Sequence, residues 1–150
     1  MVDSRDKGAR AELKVRDEMR TLTGLKWERV PGSGALHEKH GLKGDLYLVG
    51  TVNHYCVEVK HYKDDHINTG LLTHKQPQLI DWWEQTIRES KQVDKKPLLI
   101  YKHDRSKLFA AFLEMPSANY RYLFVDILGH QFYTSLLEDY IKYEQPKFIG

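Results

Sequence analysis

The chain predicts an α/β fold: a central mixed sheet of about five strands flanked by helices. Two patterns carry this reading. Apolar runs of strand length alternate along the chain with two segments of helical periodicity, at residues 6–22 and 78–92. The length of 150 residues, with 41% hydrophobic and 29% charged residues, suits one globular domain large enough to bury such a sheet.

The elements follow in order. Across residues 6–22, Ala9, Leu13 or Ala11, Val15, Met19 and Leu22 recur at near-helical spacing; Asp3 and Ser4 are capping candidates and Gly24 is the stop. Residues 25–30 read as a short strand halted by Pro31-Gly32-Ser33-Gly34, a turn expected to order on a ligand. A polar loop follows at 35–43. Residues 45–50 and 54–61 read as two strands, and the short connection between them predicts a hairpin. After a polar stretch, Pro77 suits the first turn of a helix carrying Leu79, Ile80, Trp82, Trp83, Thr86 and Ile87. Neighbouring helix positions point in different directions, so Trp82 and Trp83 predict one core ring and one partly exposed ring. Residues 97–102 and 108–113 are further strands. Residues 122–126 and 131–134 form a hairpin turned by Gly129, and residues 136–143 a closing helix.

The chemistry concentrates at the first hairpin. Glu58 and Lys60 stand two apart in a strand and project together, while Val57 and Val59 go into the core. Asp45 heads the preceding strand, so the hairpin brings it near Glu58. Two carboxylates at hydrogen-bonding distance repel unless a divalent cation lies between them, and oxygen donors with retained waters suit Mg²⁺, with Mn²⁺ as a substitute. A lysine beside them can orient an attacking water or stabilise charge on a phosphate. An acidic residue followed by x-Lys also marks ordinary solvated sheet faces, and the surrounding motifs decide between the two.

Those motifs are Gly44-Asp45, Glu58-Val59-Lys60 and a first helix carrying Glu12, which together resemble the PD-(D/E)xK nucleases. The sheet would then be restriction-endonuclease-like. Lys7-Gly8-Ala9-Arg10-Ala11-Glu12-Leu13, followed by Trp27-Glu28-Arg29-Val30-Pro31-Gly32-Ser33-Gly34, is similar to the opening of the archaeal-type Holliday junction resolvases and their phage relatives. The likeness runs over residues 5–105, with its sharp motifs before Lys63. It implies a metal site of Asp45, Glu58, the Val59 carbonyl and Glu12. It also implies that Lys60 poises the nucleophilic water and that Ser33 and Arg29 grip a phosphate, so that Glu12, Ser33, Asp45, Glu58 and Lys60 are the catalytic set. The implied activity is Mg²⁺-dependent resolution of four-way DNA junctions by paired symmetric nicks from a homodimer. Trp82, Trp83 and the aromatic C-terminal half make that dimer plausible. A restriction- or repair-type nuclease acting on duplex or flap DNA, and a DNA-binding scaffold without chemistry, are the alternatives. The loop bearing His37, Glu38, Lys39, His40 and Lys43 is longer than the family pattern and bears on substrate preference.

Net charge is only +2, so distribution matters more than total. Basic residues bracket the candidate site, and Lys7, Arg10, Arg29, Ser33, Lys39, Lys43, Lys63 and Gln78 are the expected DNA contacts. Gln76 and Gln78 could reach the site from the helix start. The single cysteine, Cys56, supports neither a disulfide nor a cysteine zinc site and reads as a buried strand residue. His37-x-x-His40 lacks a third zinc ligand. No run approaches the roughly 20 apolar residues of a membrane span, and the first six residues lack the core of a secretory signal. The expectation is one nuclease domain over 1–150, in the cytoplasm of a bacterial, archaeal or phage-infected cell.

Overall fold

The structure, a computed structural model, describes residues 4–31 and 42–150, with the side chains of the first helix from residue 8 onward. Helix α1 (Ser4–Thr23) buries Ala11, Val15 and Met19, a stripe at four-residue spacing. It ends where Gly24, left-handed at φ 72°, donates its N–H to the Arg20 carbonyl at 2.9 Å. There follow β1 (Trp27–Arg29), β2 (Leu46–Leu48), β3 (Tyr55–Tyr62), a single turn α2 (Gly70–Thr73), α3 (Gln78–Gln92), β4 (Lys96–His103), β5 (Phe109–Phe112), β6 (Leu123–Ile127) and β7 (His130–Leu136). The expected closing helix is a short α4 (Leu137–Asp139) that widens into a π-helical turn, Tyr140–Glu144.

All seven strands share one mixed sheet, in the order β1-β2-β3-β4-β5-β7-β6. That is two more than expected. The last hairpin, closed by Leu128 and Gly129 at φ 52° and 81°, does not stand apart: β7 pairs with β5 and carries β6 out to the sheet edge. β3 and β4 run parallel, joined through α3, and the remaining neighbours are antiparallel.

The period of two divides β3 between two cores. Tyr55, Val57 and Val59 pack with α1 and with Leu137, Tyr140 and Phe148 from the C-terminal segment. Leu99 and Tyr101 of β4 pack with α3 on the opposite face, and Glu58 and Lys60 share that side. Both Trp82 and Trp83 are 2% exposed, which corrects the expectation of one exposed ring. A helix covered on two sides can bury two adjacent side chains. Trp83 stacks on Phe132 at 4.5 Å, and Trp82 is covered by Tyr62 and His66 at 4.9 and 4.5 Å. Cys56 is buried, as expected. Among the described residues no helix is long and apolar enough to cross a membrane.

Candidate active site

The approach to β2 fixes Asp45. At Gly44 (φ 82°) a Cβ would lie 2.6 Å from the Val57 carbonyl oxygen, so the chain passes β3 there without room for a side chain. The Asp45 N–H donates to that same carbonyl at 2.7 Å, and the Asp45 carbonyl accepts from Val30 N–H at 2.9 Å. Its side chain then turns along β3, where Oδ2 accepts the Val59 N–H at 2.7 Å. Held in this way, the Asp45 carboxyl hydrogen-bonds to that of Glu58.

Glu58 is 2% exposed and meets a second carboxyl from the helix above. That partner is Glu89 of α3, which also accepts from Gln85 Nε2 at 3.4 Å. Burial pushes the Glu58 carboxyl far up; the bond to Glu89 and the charge of Asp45 push the same way. Burial also raises Asp45, helped by the charge of Glu12 and opposed by the Val59 N–H and by Lys60. Three carboxyls in a row cannot all be ionised in such surroundings without protons or a cation to compensate.

Glu12, on α1, lies near enough for its charge to act on Asp45 and forms an ion pair with Arg29 at 3.0 Å. The structure thus joins Asp45 to Glu58, with the charges of Glu12 and Lys60 acting on Asp45, Arg29 paired to Glu12 and the Val59 N–H holding Asp45. Glu89 is an addition that sequence reasoning missed. The helix start was the expected source of a polar contact, but Gln78 is exposed there and Gln76 bonds to Asp81 and Glu84 at 2.7 and 3.4 Å. α3 runs back along β3. Eleven residues of helix span about 16 Å, close to the about 13 Å of strand from Tyr62 back to Glu58, so the C-terminal half of α3 is what overlies Glu58. Counting back along the crossover is the signal that could have found Glu89.

Of the other expected contacts, Arg10 and Lys63 are exposed and Lys43 is half-buried. Ser33, Lys39, the neighbouring His37, Glu38 and His40, and the Lys7 side chain lie outside the described residues. Among the described residues no group of three or more His, Cys, Asp or Glu side chains forms a ready metal cage. The donors still fit a hard divalent ion, because Mg²⁺ needs only one or two protein carboxylates, and Asp45 and Glu58 hold surplus negative charge.

The chain is similar to known proteins in three comparisons. A family model for a phage PDDEXK endonuclease matches residues 3–142. Protein D14 of Escherichia phage T5 is 52% identical over 113 residues, covering 73% of this chain and 71% of that protein. The solved structure of Hjc, a Holliday junction resolvase from Archaeoglobus fulgidus, aligns over 91% of this chain and 89% of its own at 16% identity, with a TM-score of 0.44.

Proposed function

The chain belongs to the phage PDDEXK endonuclease family, and from that premise we propose that it is a Mg²⁺-dependent, structure-selective DNA endonuclease acting on four-way junctions. The observation that supports the nuclease reading is the contact of Asp45 with Glu58 on β3, with the charges of Lys60 and Glu12 acting on it. Asp45 and Glu58 would hold the ion, with the Val59 carbonyl and Glu12 completing its surroundings. When bound, the ion supplies Lewis-acid polarisation of the scissile phosphate.

The remaining work falls to the chain's own groups. The Val59 N–H keeps the Asp45 carboxylate aimed along β3. Lys60 holds the attacking water and stabilises the negative charge that grows on the phosphoryl oxygens. Arg29, braced by Glu12, turns the rest of its guanidinium fork to a phosphate. Ser33, Lys7, Arg10, Lys39, Lys43 and Lys63 add phosphate contacts. Junction selectivity rests on the opening pattern of residues 7–13 and 27–34, and paired nicking asks for a two-fold dimer.

Labelled four-way junction, linear duplex and flap, incubated side by side with Mg²⁺, test the reading. Preferential cutting of the junction is the expected result. Equal cutting of duplex or flap would identify a restriction- or repair-type enzyme. No cutting of any substrate with Mg²⁺ or Mn²⁺ would leave a DNA-binding scaffold.

A further inference from the structure

The two flanks of α1 carry different chemistry. Glu12, Arg16 and Arg20 line the flank toward β1, where they pair with Arg29 and Glu28. Lys14 and Glu18 line the other flank and, with Lys102, Ser106, Lys107 and Glu138, border a cavity of about 240 Å³. Lys102 shares the strand parity of Leu98 and Ile100, so its side chain leaves β4 on the α1 side. It is 8% exposed, yet among the described residues no ion pair joins it to a carboxylate. One of the two acids at the cavity, Glu138, is held by Lys107 at 2.7 Å. Lys14 lines the same cavity, so the Lys102 side chain faces a second cation there. Burial and that second cation lower its proton affinity, against a smaller opposing pull from Asp104.

A lysine side chain so largely buried, with a second cation beside it and no carboxylate bonded to it among the described residues, favours an anion between the two. We infer that Lys14 and Lys102 form a phosphate-group site separate from the carboxylate cluster. The cavity is roomy enough, and the exposed Lys14 can swing aside to admit an oxygen. Lys102 sits opposite His61, one residue beyond Lys60, so the site opens at the same end of the sheet as Glu58 and Lys60 but on the face that carries α1. A backbone phosphate of bound DNA and free inorganic phosphate share this chemistry. Assigning the site to DNA rests on the nuclease reading; the anion site itself does not.

Two measurements on the full chain, on Lys102→Met and on Lys14→Gln test this. In thermal melts, millimolar inorganic phosphate raises the wild-type melting temperature beyond a chloride control of equal ionic strength, and both variants lose that increment. Lys102→Met in chloride melts no lower than wild type, because it keeps the apolar stem and removes a buried charge. In DNA binding with Ca²⁺, the slope of log affinity against log salt falls by about 0.9 in each variant if a backbone phosphate occupies the site. A phosphate increment with an unchanged slope upholds the site and makes free phosphate its occupant. Wild type gaining nothing over chloride, or Lys102→Met melting well below wild type in chloride, overturns it. Absence of DNA cleavage by the wild type would sink the nuclease reading and leave the melting result standing.

Discussion

Asp45 and Glu58 are acids whose surroundings oppose their charge, and this makes stability, metal binding and pH a single problem. Both carboxyls sit above the ordinary range, so the folded protein binds these protons more tightly than the unfolded chain, where Asp and Glu titrate near about 3.9 and 4.3. Their contribution to stability is fully present below those values and is lost as pH rises through the raised ones. The metal-free melting temperature should therefore fall between about pH 5 and pH 8, and Mg²⁺ should restore more of it at pH 8 than at pH 6. Differential scanning calorimetry at constant ionic strength reads both effects. Asp45→Asn should flatten the pH slope and shrink the Mg²⁺ increment, whereas an equal increment in both proteins would place the ion elsewhere. Chemistry should separate from binding at the same residues. Asp45→Ala or Glu58→Ala should cut cleavage by about 10³-fold or more while junction affinity, measured by gel shift in Ca²⁺, survives on phosphate contacts. Affinity lost as completely as cutting would make the carboxylates structural. Asp45, Glu58 and Lys60 were legible because strand alternation and a short hairpin connection fix both their direction and their neighbourhood. Glu89 was not, because its contact depends on how far α3 runs back over β3, and no local pattern records that.

At the scale of elements, the site depends on a turn and a helix that make no chemistry themselves. Gly44→Ala places a methyl 2.6 Å from the Val57 carbonyl at a left-handed φ, so β2 must move away from β3 and Asp45 with it. The expected cost is about 1–3 kcal/mol in urea unfolding, with a fall in cleavage at saturating Mg²⁺. Unchanged cleavage would mean that Asp45 does not need this register. Trp83→Ala should cost about 3–5 kcal/mol, because the ring is buried and stacked on Phe132. A loss below about 1 kcal/mol would contradict the packing of α3 on β7. The helical and strand segments were readable from periodicity, and so was the β2–β3 hairpin. The burial of both tryptophans was not, since adjacency fixes only the angle between two side chains, and here Tyr62 at the end of β3 and His66 in the loop after it supply a second wall. The sheet count fell short for a related reason: pairing of β7 with β5 is a long-range choice that the hairpin's own residues do not announce.

For the whole molecule, the reaction turns on how many copies act on one DNA. Trp82 and Trp83 do not serve as the expected contact, because both rings are interior; large exposed apolar side chains sit at Leu72, Leu123, Phe124 and Leu128. A resolvase must place two scissile phosphates in two centres related by a two-fold axis, whereas one centre acting alone nicks strands independently. A supercoiled plasmid extruding a cruciform separates the cases. With two coupled centres, both nicks fall within the lifetime of one complex, at symmetric positions, and linear product forms without a build-up of nicked circle. Excess Glu58→Ala protein should then poison the reaction by forming mixed pairs with one working centre, and nicked circle should accumulate. Because phosphate contacts supply most of the affinity for any DNA, excess linear duplex at moderate salt should barely slow this reaction if the junction itself is recognised. Nicked circle accumulating first with the wild type alone, together with sedimentation as a monomer on bound junction, would end the resolvase reading and leave a metal-dependent nuclease that cuts one strand at a time.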